Sequence, residues 1–277
     1  MSWKRSRRIL ALPYIVWMLI LIVAPMLLIV YYAFTEPVDA RLVFSLENIK
    51  DAFDPIYMGI LGHSVGLAMM ATVICLLLGF PVAYLLSRMP PRRSAILSMF
   101  FILPMWMNFL LRTYAWMGVL DNNGLINKLL ALFQLGPLPL MYNTPAVVMG
   151  MVYNYLPFMI LPIYNILQKI PAETIEAAQD LGASKRTVFS RVIFPLSIPG
   201  MISGITMVFV PAITTFAISR LLGGSQYMLY GDLIENQFIQ INNQHLGSAL
   251  SLVMMILVVI SMMIMRIFDK DGEAGAV

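Results

Sequence analysis

Residues 171–199 read PAETIEAAQDLGASKRTVFSRVIFPLSIP, a polar interlude between two long apolar runs. Pro171 suits the first turn of a helix, where its missing N–H costs nothing. Glu173 and Glu176 place negative charge near that helix's positive end. Gly182 tolerates the left-handed conformation that stops a helix. Ser184 is placed to cap a second helix carrying Lys185, Arg186 and Arg191, which Pro195 is expected to end. The stretch reads as a helix, a tight turn and a second short helix, with both ends tied into apolar segments. Ala177 and Ala178 would let a partner's surface approach closely. The plainer reading is a charged connector that spaces two membrane helices, and the sharper one is a docking element.

The chain around it is built for lipid. Of the 277 residues 60% are hydrophobic and only 12% charged, about half the charged share of an ordinary soluble domain. The excess falls in runs that each span a bilayer, so a polytopic all-α membrane protein is expected. The net charge of +4 then reports topology and not a nucleic-acid partner. Cys75 is the one cysteine and lies in an apolar run, which excludes a disulfide framework and reads as a buried structural thiol.

Six spans are expected, at about 9–33, 60–86, 94–119, 145–167, 200–222 and 247–267, all within a single domain covering residues 1–277. The run from Ile9 is too long for a cleaved secretory signal and reads as a retained first span. Residues 36–58 form a polar and aromatic outer segment. Gly79 and Pro81 are bend points in the second span. Residues 120–143 are an outer loop with an amphipathic piece from Leu125 to Leu135. Gly223-Gly224 opens another, with a short helix around Asp232–Ile239, and a short charged tail ends the chain. The basic residues orient this arrangement. Residues 1–8, the turn 88–93, the loop 168–199 and the C-terminal end hold 13 of the 18 Lys and Arg, which puts both termini and the loop in the cytosol.

Two absences bear on energy. All 14 acidic residues fall in loops or tails, whereas an ion-coupled carrier ordinarily needs an intramembrane carboxylate. No GxxxxGK[ST] phosphate loop occurs, so the chain itself is not expected to be an ATPase or another enzyme. The driving energy is therefore expected from another subunit. No catalytic set and no metal-ligand set stands out. The 23 Met residues, without interleaved Cys or His, read as flexible apolar filler and not as a soft-metal path. His63 and His245 receive no ligand role.

The third span holds the richest polar and aromatic cluster, with Trp106, Asn108, Arg112, Tyr114 and Trp116. Tyr153, Asn154, Tyr155, Tyr164 and Asn165 lie in the fourth, and Thr214, Thr215 and Phe216 in the fifth. Pro104, Pro157, Pro162 and Pro211 interrupt these same helices and free carbonyls that suit a solvated cavity. Asn108, Arg112, Tyr114, Trp116, Tyr153, Tyr155, Thr214 and Phe216 are the candidates for a translocation path. An interfacial aromatic belt with ordinary helix–helix hydrogen bonds is the bland alternative. Arg112, near the outer end of its span, either snorkels to the interface or pairs across a gate with a carboxylate from a loop or a partner.

The spacing Glu176-Ala177-Ala178, three residues, Gly182, nine residues, Val192, one residue, Phe194-Pro195 resembles the EAA loop of binding-protein-dependent type I ABC importer permeases. It departs from that pattern at Val192 and Phe194, both apolar. The resemblance extends over roughly residues 9–268. LENIKDAFDPIYMGILGHSVGLAMMATVICLLLGFPVAYLLSRMP, LPMWMNFLLRTYAWMGVL, YNYLPFMILPIYNIL and FVPAITTFAISRLLGG look like the spermidine/putrescine importer permeases, in particular the PotB-type subunit. The resemblance implies a type I importer permease fold in the bacterial inner or plasma membrane. It implies one of two related permease subunits, two ATPase subunits that hold the ATP and Mg, and an extracytoplasmic substrate-binding protein. This chain would need no cofactor of its own, and Glu176, Ala177, Ala178, Gly182 and Pro195 would couple it to the ATPase. The implied cargo is a polyamine, and another small solute such as ferric ion or sulfate is the alternative within the class.

Overall fold

The computed structural model describes residues 13–38, 41–224 and 227–273. Helices dominate, in keeping with the all-α expectation. Backbone groups in lipid must find partners within their own segment, and apolar runs of this length do so as helices. Five helices among the described residues are long and apolar enough to cross a membrane, and a sixth span results if one sharply bent pair is counted together.

The fold divides into two compact units, one formed by Met1–Gly59 with Leu233–Leu257 and the other by Ile60–Asp232 with Val258–Val277. In the first, α1 (Pro13–Ala33) contains a π-helical turn at Leu19–Val23, with Pro25 two residues after it. Residues 1–12, which include the basic stretch 4–8, lie outside the described residues. The segment expected to be polar and aromatic, for which no element was predicted, opens with an antiparallel hairpin, β1 (Thr35–Val38) with β2 (Arg41–Phe44), in register Thr35 to Phe44. The short helix α2 (Glu47–Ala52) follows. Asn48 Nδ2 donates to the Thr35 carbonyl at 3.0 Å. His245 Nδ1 meets the carbonyls of Tyr32 and Thr35, and its ring packs edge-on against Tyr32. These contacts give His245 a bracing role.

In the second unit, α3 (Pro55–Ser87) runs unbroken through Pro81. The expected third span differs. It consists of α4 (Pro91–Trp106) and α5 (Phe109–Leu120), and the segment Phe109–Leu132 is turned by 95° from Pro91–Trp106 at the break. Met107 is extended and Asn108 caps α5, its side chain accepting the Leu110 N–H at 2.8 Å. A proline in the last turn of α4 and an N-cap four residues later together end one helix and start another. Next come α6 (Leu125–Leu132) and α7 (Thr144–Leu167), the latter capped by Asn143.

The loop helix α8 (Ala172–Asp180) is followed by α9 (Lys185–Thr214), α10 (Ala217–Gly223), α11 (Tyr230–Ile239) and α12 (Gln244–Glu273). Pro195 does not end the second loop helix. A π turn at Phe189–Ile193 lets the Phe194 N–H reach back to the Phe189 carbonyl, and α9 continues through Pro195 into the membrane run. Widening the turn removes the clash between the proline ring and the preceding turn's carbonyl. Pro25 follows the π turn of α1 at the same offset. The fifth span therefore begins far earlier than expected and breaks at Thr215–Phe216. The last helix likewise continues through the expected tail to Glu273.

The core of this unit forms around α7. Met159, Ile160 and Ile163 are fully buried with Cys75 and Ala83. Val147 and Met151 are buried with Leu67, Ala71 and Leu222. Lipid removes the hydrophobic drive between helices, so close packing has to hold them. Gly200 and Gly204, one turn apart on α9, provide it. A Cβ on Gly200 would lie 3.0 Å from the Ile163 Cα and the Pro162 carbonyl oxygen, and one on Gly204 would lie 2.7 Å from Met159 Sδ.

Candidate functional sites

The loop at 168–199 is built as its sequence indicates up to Pro195. Pro171 stands one position earlier than expected, as the N-cap of α8. Gly182 has φ +82°, its N–H donates to the Gln179 carbonyl at 2.8 Å, and the Ala183 N–H reaches the Ala178 carbonyl at 3.1 Å. This pair of bonds is a Schellman cap, which needs a left-handed residue at the position Gly182 occupies. Ser184 then caps the next helix, accepting the Thr187 N–H at 3.2 Å. The inner face of α8 presents Ile175 and Ala178 to the core around Val188 and Ile193. Glu176 and Ala177 face outward. Beside Gly182, Leu181 is 89% exposed, an apolar side chain held out at the turn. Sequence reasoning did not single it out, although the residue before a capping glycine is a place where such a side chain has little to pack on.

The second site lies where two helices break. A partly open cavity of about 300 Å³ is lined by Phe109 and Arg112 of α5, by Asn154, Tyr155 and Phe158 of α7, and by residues 214–218 across the break between α9 and α10. Gly231 closes on the same break, where a Cβ would meet the Thr214 and Thr215 carbonyl oxygens at 2.7 Å. Four of the expected path residues therefore converge here: Arg112, Tyr155, Thr214 and Phe216. The other four lie outside the lining. Asn108 is the cap of α5, Tyr114 is exposed, and Trp116 and Tyr153 form an edge-to-face pair with ring centres 5.3 Å apart. Tyr164 is also elsewhere, its hydroxyl joined to Ser94 and Gln168.

Five side chains of the lining are polar, Arg112, Asn154, Tyr155, Thr214 and Thr215. The Tyr155 hydroxyl donates to the Pro211 carbonyl at 3.2 Å. Asn154, 3% exposed, uses its amide N–H on the Gly150 carbonyl at 2.9 Å, while its Oδ1 is buried without a partner. Arg112 is 7% exposed, and its Nε and Nη1 have none either. Burial rules out the snorkelling position for Arg112. A single Asn between two Tyr in an apolar helix was the legible sign of Asn154, since an amide at membrane depth needs a use. Among the described residues no Asp or Glu lines the cavity. Asp232, buried although it belongs to a helix expected in a loop, accepts from Ser219 Oγ and from the Leu229 N–H and stands 3.8 Å from Arg220.

The methionines expected as filler at Met262, Met263 and Met265 line an apolar groove of about 550 Å³ with Ile202, Thr206 and Arg266. Among the described residues no group of three or more His, Cys, Asp or Glu is placed to hold a metal ion.

Comparison with known proteins extends these observations. The sequence pattern of the family described as binding-protein-dependent transport system inner membrane component matches residues 75–271. The spermidine/putrescine transport system permease protein PotB of Escherichia coli (strain K12) is 36% identical over 268 residues, 93% of this chain and 97% of that one. The protein of the same name from Haemophilus influenzae is 34% identical over 241 residues, covering 85% and 84%. Among solved structures, a bacterial ABC transporter involved in import of the acidic polysaccharide alginate superposes with a TM-score of 0.78. Its identity is 14%, over 96% of this chain and 98% of that one. The MetNI methionine ABC transporter gives 0.58 at 16% identity, covering 79% and 99%.

Proposed function

The chain belongs to the binding-protein-dependent transport system inner membrane component family, and from that premise we propose how it works and what it carries. It is a multi-pass membrane permease subunit of an ABC importer and not an enzyme. The cargo we assign is a polyamine, spermidine or putrescine, moved inward. The observation that carries this assignment is the cavity at the two helix breaks. Asn154 Oδ1 offers an unused acceptor to an ammonium group. Phe109, Tyr155, Phe158 and Phe216 line the same cavity with aromatic rings, and the face of such a ring attracts a cation. With no carboxylate in the lining, a flexible polycation is held weakly enough to leave. The full-length likeness to permeases named for spermidine and putrescine supports the same cargo.

On this reading the subunit pairs with a second, related permease. A substrate-binding protein delivers polyamine on the outer side, and two ATPase subunits bind ATP and Mg on the cytosolic side, where both termini lie. The loop at 168–199 seats in the ATPase through Glu176, Ala177 and the exposed Leu181, and Ala178, packed inward, keeps its shape with Gly182 and Pro195. The other reading keeps the importer class and changes the cargo to an anion such as sulfate. Its one favouring observation is the buried guanidinium of Arg112, a natural anion partner.

Uptake of labelled spermidine, putrescine and sulfate separates the two readings, measured in a strain without redundant importers. Polyamine uptake is expected to depend on the chain and sulfate uptake not to. Tyr155→Ala and Asn154→Leu are each expected to lower polyamine uptake by about tenfold, the scale of one lost cation–π contact or charge-assisted hydrogen bond. Assembly with the partner subunits should be unchanged. Trp116→Ala, outside the lining, should lower uptake less than Tyr155→Ala. Normal uptake in both cavity variants would remove the cavity from the path.

A further inference from the structure

Arg112 presents a charge problem that the transported polycation makes worse. A guanidinium stays protonated in any protein environment, and a buried charge without a counter-charge is strongly unfavourable. Here Nε and Nη1 are both buried without a partner. The side chain starts from the first turn of α5, where the Arg112 N–H is held on the Asn108 carbonyl at 3.2 Å, and it is turned into the protein with the neighbouring Thr113.

The described residues of this chain do not supply the missing anion. The cavity lining contains no Asp or Glu. The buried carboxylate among the described residues, Asp232, is engaged by Ser219, the Leu229 N–H and Arg220. A polyamine cannot supply it either, since it brings more positive charge to the same space.

We propose that Arg112 pairs with a carboxylate of the partner permease that faces this partly open cavity, and that the pair closes the path until a polyamine ammonium takes the carboxylate. The inference rests on the polyamine reading of the same site. The planar fork of the guanidinium suits a bidentate carboxylate; when an ammonium takes that carboxylate the path opens, and water entering it solvates Arg112 in the carboxylate's place. Polyamine is thus both cargo and key. The two permeases are electrostatically unlike: this chain contributes aromatic faces, the Asn154 acceptor and a fixed positive charge, and the partner contributes the negative charge. Two copies of this chain would bring two unpaired guanidinium groups to one path, so the pairing must be between different subunits.

The test uses the full complex of both permeases and the ATPase in lipid vesicles, with R112K and R112Q. Dicyclohexylcarbodiimide, which enters membranes, activates a carboxylate as an acylisourea. The amine introduced by R112K then displaces dicyclohexylurea and leaves an amide bond that peptide mass spectrometry locates. We expect the amide to join this chain to a carboxylate of the partner permease, and the yield to fall when binding protein and spermidine are added with ATP. We expect R112Q, which assembles but cannot pair, to raise ATP hydrolysis without binding protein by about fivefold or more, the lower end of ordinary site-to-site coupling. Absence of the inter-subunit amide, or an unchanged basal rate in R112Q, overturns the proposal. Spermidine uptake by the wild-type complex is measured alongside. If that uptake is absent while the amide forms, the polyamine reading fails and the charge pair stands. If uptake is present while the amide and the raised rate are absent, the reverse holds.

Discussion

Gly182→Val is expected to reduce polyamine uptake at least about tenfold while leaving the amount of protein in the membrane unchanged. Gly182 has φ +82° and an added Cβ would meet nothing within 4 Å, so the backbone decides the effect and crowding does not. A β-branched residue in the left-handed region costs on the order of 1–3 kcal/mol. That cost is avoided by abandoning the cap, which releases the bonds from Gly182 to Gln179 and from Ala183 to Ala178. α8 then loses its angle to α9. The membrane core is not disturbed, because no residue of α8 is buried. Glu176→Lys makes the complementary test, since Glu176 is exposed and its reversal leaves the turn intact while changing only the face offered to a partner. Both variants are expected to lose the ATPase on co-purification and to lose transport-coupled ATP hydrolysis. Retention of the ATPase by both would show that the loop is a connector and nothing more.

What was legible in the chain divides along physical lines. Local chemistry read true: Gly182 and Ser184 cap the elements their residue types favour, because a cap depends on a few neighbouring backbone groups. Pro195 misled because a proline's effect depends on the turn before it, and the π turn at Phe189–Ile193 has no composition of its own. The third span misled for a related reason. Pro104 announced a disturbance, but the right-angled break also needs Asn108 as a cap, and an Asn in an aromatic run is equally readable as a path residue. Of the cavity, Arg112, Tyr155, Thr214 and Phe216 were reachable from residue type and depth. Their convergence was not, because it depends on two helix breaks meeting one continuous helix. The hairpin at residues 35–44 carried a visible signal in its β-branched and aromatic residues, which the polar surroundings concealed.

The small-residue pair on α9 was also readable and carries the other large effect. Gly200 and Gly204 stand four residues apart in an apolar run, the spacing that brings membrane helices together. On Gly200 an added side chain would meet backbone, the Ile163 Cα and the Pro162 carbonyl oxygen, both at 3.0 Å. Backbone cannot swing aside, so α7 and α9 must part, and these two helices form the most extensive packed pair among the described residues. Parting them loosens the shell around Met159, Ile160 and Ile163, and an overpacked core of this kind costs roughly 1–3 kcal/mol or more. Gly200→Val is therefore expected to remove most of the protein from the membrane fraction, as read by immunoblot, and to abolish recovery of the complex in detergent. Gly204→Ala should be milder, because its shortest contact is with Met159 Sδ at 2.7 Å, on a side chain that can change rotamer. Gly62→Ala, with nothing within 4 Å of the new Cβ, should leave the amount unchanged. If Gly200→Val accumulated like Gly62→Ala, close approach of α7 and α9 would not be what holds this core. The cavity between α5, α7 and the broken end of α9 would then lack the rigid wall that its use as a path requires.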